Sequence, residues 1–508
     1  MEKTDENLLS LHQKTKPPCS ITRNMTQDEL TRLIERRLPH KPTREQAAAS
    51  AVFGLFLADR SPRAVMVMRG SAGTGKTTLA AAWVKTLRAL GQKVVLLAPT
   101  GRAAKVLSLS CGVPASTIHR HIYRQRTFTG LPGGFELNDN LHADTLFIVD
   151  EASMIAGNVQ SGPDAFGSGC LLDDLIIYIY SGRNCRLLLI GDAAQLPPVG
   201  EEEAPALQAS QLQSRGLSVH ECTLNEVMRQ AQESGILSNA TTIRRAITHD
   251  AVTQLPRIRL TGFADIHVVP GNELIEQLNS SYASVGIDET IVVTRSNKRA
   301  NIYNMGIRNS ILDREELLCT GDQLMVVKNN YHWLAATGTP APAASLAFLA
   351  NGDRCKVLRV RNIHSLYGFR FADVWLRFPD YDDFELHATA LLDSLTSDAP
   401  ALTRQQSDQL FNAVIEDYAD IPRKADRLRA VKEDKYFNAL QVKYAYAVTC
   451  HKAQGGQWEH VYLDQGYMTD DWLTPDYLHW LYTAFTRATH HLYLVNWPAA
   501  QIDEETRI

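Results

Sequence analysis

The stretch GSAGTGKTT at Gly70–Thr78 constrains this chain more than any other. It follows directly on the apolar run Ala64–Met68 and opens directly into the helical stretch Leu79–Leu90. Strand, glycine-rich loop and helix come in the order that a phosphate cradle requires. Gly70, Gly73 and Gly75 let the backbone curl, so that N–H groups of Ser71, Ala72, Thr74 and their neighbours point inward at phosphate oxygens. Lys76 then reaches the β- and γ-phosphates, Thr77 offers a hydroxyl to Mg²⁺, and Thr78 completes the first helical turn. The helix N-terminus adds its partial positive charge at the same spot. The expected ligand is a nucleoside triphosphate.

Two further apolar strands end in polar residues suited to the same chemistry. TLFIVDEAS at Thr145–Ser153 places Asp150 to face the metal held by Thr77, and Glu151 to polarise an attacking water. RLLLIGDAAQLPPVG at Arg186–Gly200 repeats the design, with Gln195 placed to sense the γ-phosphate or that water. Together with Val94–Ala98, these near-continuous apolar runs are those of a parallel sheet buried on both faces.

At 508 residues the chain exceeds one core, and the expected organisation is an α/β fold of several domains. Residues 1–27 read as a polar tail and 28–225 as a first α/β domain. Residues 226–320 and 436–508 read as a second α/β domain, interrupted at 321–435 by a small β-rich module. The eight cysteines are scattered without CxxC spacing, which indicates reduced thiols and a cytoplasmic protein. No apolar run approaches a membrane span. A net charge of −4 argues against indiscriminate coating of nucleic acid but leaves room for a local phosphate-binding groove.

GSAGTGKTT, LLAPTGRAA, IVDEAS, GDAAQLPPV, LNEVMRQ, YAYAVTCHKAQGGQW and YTAFTRA stand in the order seen in superfamily 1 helicases. Over residues 40–500 the chain resembles the RecD-like and Dda-like branch, which moves 5′→3′ on single-stranded DNA. That resemblance implies two RecA-like P-loop domains with parallel sheets, an inserted SH3-like module, and ATP with Mg²⁺ as cofactors. Gln46 in TREQ is then the reader of the adenine edge, and Gly455 joins the nucleotide-contacting positions. Arg229 and Arg487 are the arginines that reach the γ-phosphate from across the cleft. Thr100, Gly101, Thr117 and His119 are DNA contacts of the first domain; Thr449, His451, Lys452 and Gln454 are those of the second, and Lys328 a contact of the inserted module. Where relatives carry a serine or threonine, this chain has Gly456.

The segment 124–144 is read as a hairpin, TFTG against GFEL, and relatives use such an excursion as a pin at the fork. Phe128 and Phe135 are its wedge or stacking residues. The expected partners are single-stranded DNA and duplex forks, with no membrane, a monomer being compatible with this reading. Two alternatives stay open: an RNA-directed motor of the same superfamily, and a motor or clamp subunit of a DNA repair nuclease complex.

Overall fold

The apolar runs become the strands they suggest. The computed structural model describes residues 26–125, 135–159, 167–227, 233–247, 254–336 and 348–503. Two helices, α1 (Gln27–Glu35) and α2 (Arg44–Ala58), each begin with a capping box, Thr26 with Glu29 and Thr43 with Gln46. Phe53 of α2 stacks on Trp83 at 4.2 Å between ring centroids, anchoring this pair to the first sheet's helices.

Along the chain follow β1 (Ala64–Gly70), α3 (Lys76–Ala89), β2 (Lys93–Ala98), α4 (Gly101–Cys111), β3 (Ala115–Thr117) and α5 (Ile118–Ile122). A two-stranded ribbon of β4 (Tyr123–Gln125) and β5 (Phe135–Leu137) precedes β6 (Thr145–Val149), α6 (Leu171–Ser181), β7 (Arg186–Gly191), α7 (Ala209–Ser214) and β8 (Ser218–Leu224). Six of the strands form one parallel sheet in the order β3-β2-β6-β7-β1-β8. Separate apolar clusters cover its two faces, which is why the strands read as unbroken apolar runs. Because β6, β7 and β1 are neighbours, their carboxyl ends bring Asp150, Asp192 and the glycine-rich loop to one edge, where ligands bind in open α/β sheets.

The second domain contributes α8 (Gly235–Ile247), β9 (Ile258–Arg259), β10 (Ile266–Val269), α9 (Leu274–Ser284), β11 (Thr290–Thr294) and α10 (Asn297–Ser310). The chain then leaves for a closed barrel of β12 (Gln323–Val326), β13 (Arg354–Leu366), β14 (Phe369–Phe378), β15 (Phe384–Leu391) and β16 (Leu440–Tyr444). A short helix α11 (His332–Ala336) follows β12, and α12 (Arg404–Asp417) with α13 (Lys424–Glu433) packs outside on Phe369 and Phe371. The return brings β17 (Ala447–Thr449), α14 (Cys450–Ala453), β18 (Trp458–Asp464), α15 (Pro475–Phe485), β19 (Ala488–Val495) and β20 (Ile502–Asp503). The second sheet is parallel, in the order β10-β19-β18-β11-β17.

One boundary differs from the sequence reading. The barrel continues to Tyr444, past residue 435, because β16 pairs with both β12 and β15 to close it. YAYAV therefore splits: the Ala445 N–H donates to Gln323 O and the Tyr446 hydroxyl to Asp322, turning the chain before β17 begins. The described part of the hairpin pairs Tyr123–Gln125 with Phe135–Leu137, and Tyr123 is buried with its hydroxyl donating to Asp174 at 2.7 Å. TFTG, and Phe128 with it, lies outside the described residues, as does nearly all of the N-terminal tail.

The barrel sits on the first domain through a buried ion pair. Arg120 of α5 meets Asp353 at 2.9 Å, with side chains 4% and 2% exposed, and Tyr381 donates to the same carboxylate at 2.5 Å. Gly101 lies so close beneath Tyr381 that a Cβ there would stand 2.2 Å from its hydroxyl. Removing one partner of such a pair costs about 3–5 kcal/mol. Asp353→Ala is therefore expected to lower the thermal midpoint and raise amide exchange along the barrel's contact with α5; an unchanged midpoint would show that the pair does not hold the barrel.

Candidate active site

At the end of β1 the chain turns through Gly73 (φ 76°) and Gly75 (φ 81°), left-handed conformations that glycine adopts without steric cost. Lys76 opens α3, with Thr77 and Thr78 behind it in the first turn. Its ammonium donates to the carbonyls of Gly70 (2.6 Å) and Ser71 (3.0 Å) and stands 3.8 Å from Asp192. The Ser71 hydroxyl is buried with no partner among the described residues, a polar atom left for a ligand. Gln46 braces the loop from α2. Its amide donates to Thr74 O at 2.9 Å and accepts from Thr43 N at 3.2 Å. Both ends of that amide are engaged, so in this arrangement Gln46 supports the loop and its hydrogen bonds are not turned to a base edge.

Across the cleft floor, Glu151 follows Asp150 in a left-handed conformation (φ 53°, ψ 40°), a strained backbone state of the kind concentrated at reactive sites. Burial and the neighbouring Glu151 push the Asp150 carboxyl up to about 7. Such crowded negative charge suits a hard divalent cation. Among the described residues no cluster of three or more His, Cys, Asp or Glu converges as a metal cage. Asp150 and the Thr77 hydroxyl fit Mg²⁺ of the kind that completes its shell with nucleotide phosphates and water.

Gln195 links this acid to the second domain. With its amide oriented so that both ends find partners, the nitrogen donates to Glu151 Oε2 at 3.2 Å and the oxygen accepts from Arg487 Nη2 at 3.3 Å. Arg487 is only 2% exposed, and its other bonds go to Thr483 O, Gly456 O and Thr486 Oγ1. Among the described residues this guanidinium meets only neutral acceptors. A buried positive charge so placed calls for an anion. The second domain grips the same loop elsewhere: Leu196 N donates to Thr483 Oγ1, and His479 lies 2.9 Å from Ala194 O. Tyr482 bridges the cleft directly, donating to Asp192 Oδ2 (2.6 Å) and accepting from Ala72 N (2.9 Å).

Thr100, His451, Lys452 and Gln454 line one cavity of about 160 Å³ where both α/β domains and the barrel meet. Thr100 also caps α4, accepting from Ala103 N at 3.3 Å. Lys452 donates to Asn351 of the barrel. Thr449 is the N-cap residue of α14 without a capping bond from its side chain. Other expected contacts are engaged differently. Gln454 is buried and donates to Leu196 O at 2.9 Å, tying its segment to the loop after β7. Thr117 is buried with its hydroxyl turned into the cap of α5. Burial lowers His119 to about 4 and keeps it neutral beside Tyr123. Gly101 is covered by Tyr381, and Gly455 packs against Thr100 and Ala103. Phe135 packs at the hairpin base on Tyr331 (4.2 Å) and Phe348 (6.4 Å), so it joins the hairpin to the inserted module where a wedge was expected. Lys328 is exposed just beyond β12. Phe128 and Arg229 lie outside the described residues.

Two families match the chain: an AAA domain over residues 45–259 and a UvrD-like helicase C-terminal domain over residues 444–495. Together they take in just over half of it, the first running from the domain with the glycine-rich loop into the second domain and the other lying within the second. The chain belongs to the superfamily 1 helicases. Among its relatives, the ATP-dependent RecD2 DNA helicase of Deinococcus radiodurans is 35% identical over 177 residues, which is 35% of this chain and 21% of that protein. The ATP-dependent DNA helicase dda of enterobacteria phage T4 is 25% identical over 308 residues, 58% of this chain and 62% of that protein. The helicase chain thus spans less than two thirds of either relative. Among solved structures, Pif1 helicase from Bacteroides in complex with ADP-AlF3 and ssDNA aligns over 92% of this chain and 95% of its own, at 15% identity and a TM-score of 0.45.

The sequence reading of this helicase passed over Asp192, Tyr482 and Thr483. Asp192 carries a signal, since a Gly-Asp pair at the tip of a buried strand repeats the design of Val149-Asp150. Tyr482 and Thr483 lie in a helix whose residues are nearly all buried, so nothing local separates a cleft hydroxyl from a core one.

Proposed function

We propose that this helicase is an ATP-driven, Mg²⁺-dependent motor that moves 5′→3′ along single-stranded DNA and separates the duplex ahead of it. The observation that carries the reading is the chain Glu151–Gln195–Arg487, which ties the hydrolytic carboxylate to the second domain. Lys76 exchanges its contacts with the loop carbonyls for β- and γ-phosphate oxygens. Glu151 takes the proton of the attacking water, held in place by the Gln195 amide. Arg487 offers a planar fork to the charge that spreads over the γ-phosphoryl oxygens. Thr77 and Asp150 would hold Mg²⁺, which when bound would offset the charge of the phosphates. Since Gln454 holds the same loop as Gln195, changes at the γ-phosphate pass to the segment with His451 and Lys452 on the strand cavity. Melting one base-pair step costs about 1.4 kcal/mol, small beside the free energy of ATP hydrolysis.

ATPase measured with and without poly(dT) tests the motor, and poly(U) separates a DNA from an RNA track. Stimulation by poly(dT) well above that by poly(U) is expected; the reverse would favour the RNA-directed alternative. For direction, a duplex with a 5′ single-stranded tail is expected to be unwound and one with only a 3′ tail left intact. Efficient unwinding from the 3′ tail would overturn the polarity.

A further inference from the structure

Tyr482 holds a place in the cleft that the hydrolytic residues do not explain. It lies on α15, the helix that runs directly into Arg487, and is 1% exposed. Its hydroxyl reaches from that helix to two groups of the first domain. It donates to Asp192 Oδ2 at 2.6 Å and accepts from the Ala72 N–H at 2.9 Å. Burial and the Asp192 carboxylate push the phenol well above its ordinary range, against the smaller pull of Ala72 N and the Arg244 charge. The hydroxyl therefore keeps its proton and can donate.

Both partners belong to the nucleotide side of the cleft. Ala72 is the third residue of GSAGTGKTT, and in a loop of this kind the backbone N–H groups are what hold phosphate oxygens. A backbone N–H is a single donor, so the hydroxyl oxygen takes the acceptor position that a phosphate oxygen would fill. Asp192 Oδ2 lies 3.8 Å from the Lys76 ammonium, whose own bonds go to Gly70 O and Ser71 O. Two groups suited to grip phosphate, the Ala72 N–H and Lys76, thus have oxygen partners from the protein itself. The second domain also packs on the same turn. A Cβ on Gly73 would meet Leu237 Cδ1 at 3.1 Å and Val227 Cγ1 at 3.4 Å. The cross-cleft bonds of Thr483 and His479 differ in kind, since they fall on the loop after β7.

We propose that the Tyr482 hydroxyl stands in for a nucleotide phosphate oxygen on the Ala72 N–H, and that phosphate binding displaces it. This rests on the nucleoside triphosphate reading of the glycine-rich loop and adds to it a residue supplied by the second domain. The exchange balances in hydrogen bonds. The Ala72 N–H passes from the hydroxyl to a phosphate oxygen, while the hydroxyl keeps its proton directed at Asp192. Displacement releases α15 from the glycine-rich loop, and Arg487 follows at the end of that helix. Tyr482 is in this sense a positioning residue, tying the arrival of phosphate to the helix that leads into Arg487.

The test is equilibrium binding of a fluorescent, slowly hydrolysed ATP analogue with Mg²⁺ to the full chain without DNA, with melting curves to verify folding. Tyr482→Phe keeps the ring and removes the competing oxygen. It is expected to bind the analogue about fivefold more tightly, the scale of one hydrogen bond that no longer has to be broken. A role in packing alone predicts no gain. Unchanged or weaker binding by a folded Tyr482→Phe would overturn the proposal, and weaker binding would place the hydroxyl on the phosphate itself. Thr483→Val removes a cross-cleft bond that involves no N–H of the glycine-rich loop, and it should not raise affinity. An equal gain in both variants would assign the effect to easier opening of the cleft and overturn the exchange. A second measurement needs no variant: amide exchange at Ala72 in the unaltered chain without nucleotide. Slow exchange is expected, because the hydroxyl holds that N–H; exchange at the rate of an open loop would overturn the bond. If the unaltered chain binds no nucleotide, the reading of the loop itself fails and the stand-in falls with it.

Discussion

Glu151→Gln is expected to bind ATP as the unaltered chain does and to hydrolyse it about 10²–10⁴ times more slowly, the range for loss of a general base. The substitution keeps the shape of the side chain and its contact with Gln195, so nothing in the loop has to move. Lys76 and Asp150 remain, and with them the grip on phosphate and metal. What goes is the oxygen that accepts the proton of the attacking water. Equilibrium binding of a fluorescent ATP analogue, followed by single-turnover phosphate release, separates the two effects. Turnover near that of the unaltered chain would remove Glu151 as the base and leave its left-handed backbone without a catalytic explanation. Lys76→Ala gives the complementary result, loss of tight nucleotide binding together with turnover, because that ammonium faces the loop carbonyls and not a core.

Arg487 carries the second large effect. Removing an arginine that meets the transferring phosphoryl group lowers the rate by about 10³ or more. Arg487→Ala should show that loss with nucleotide binding largely retained, since the loop that holds the phosphates belongs to the other domain. The residue is also buried and holds Gly456 O and Thr483 O, so the alanine variant is expected to melt earlier. Arg487→Lys separates the roles. A lysine keeps the charge and can bond one carbonyl, but it has no planar fork for two γ-oxygens. A melting temperature near that of the unaltered chain with turnover still far below it would assign the loss to the transition state. Simultaneous loss of ATP binding, turnover and thermal stability in both variants would make Arg487 structural.

Much of this could be read before any coordinates. The apolar runs at Ala64–Met68, Val94–Ala98, Leu146–Val149 and Leu187–Ile190 are all strands of one parallel sheet, because burial on both faces leaves a local record in every residue. Lys76, Asp150, Glu151 and Gln195 were legible for a related reason: each lies at the tip of a buried strand or in the turn after it, and the strand's end sets where that turn lies. YAYAV misled for want of such a record. Apolar residues ending a barrel strand and beginning a sheet strand look alike, and only the partners β12 and β11 divide them at Ala445–Tyr446.

Gln454 and Thr117 sit in segments that resemble DNA contacts, yet their polar atoms are spent inside the protein, on Leu196 O and on the cap of α5. Sequence alone determined the phosphate loop, the acids at the strand tips and the two-domain frame, all of which follow from short-range order along a strand and the turn after it. The pairing of Glu151 with Arg487 through Gln195 and the docking of the barrel through Asp353 were decided only by tertiary structure. Each depends on the distance between side chains far apart in the chain, and that distance is set by how whole sheets and the barrel pack.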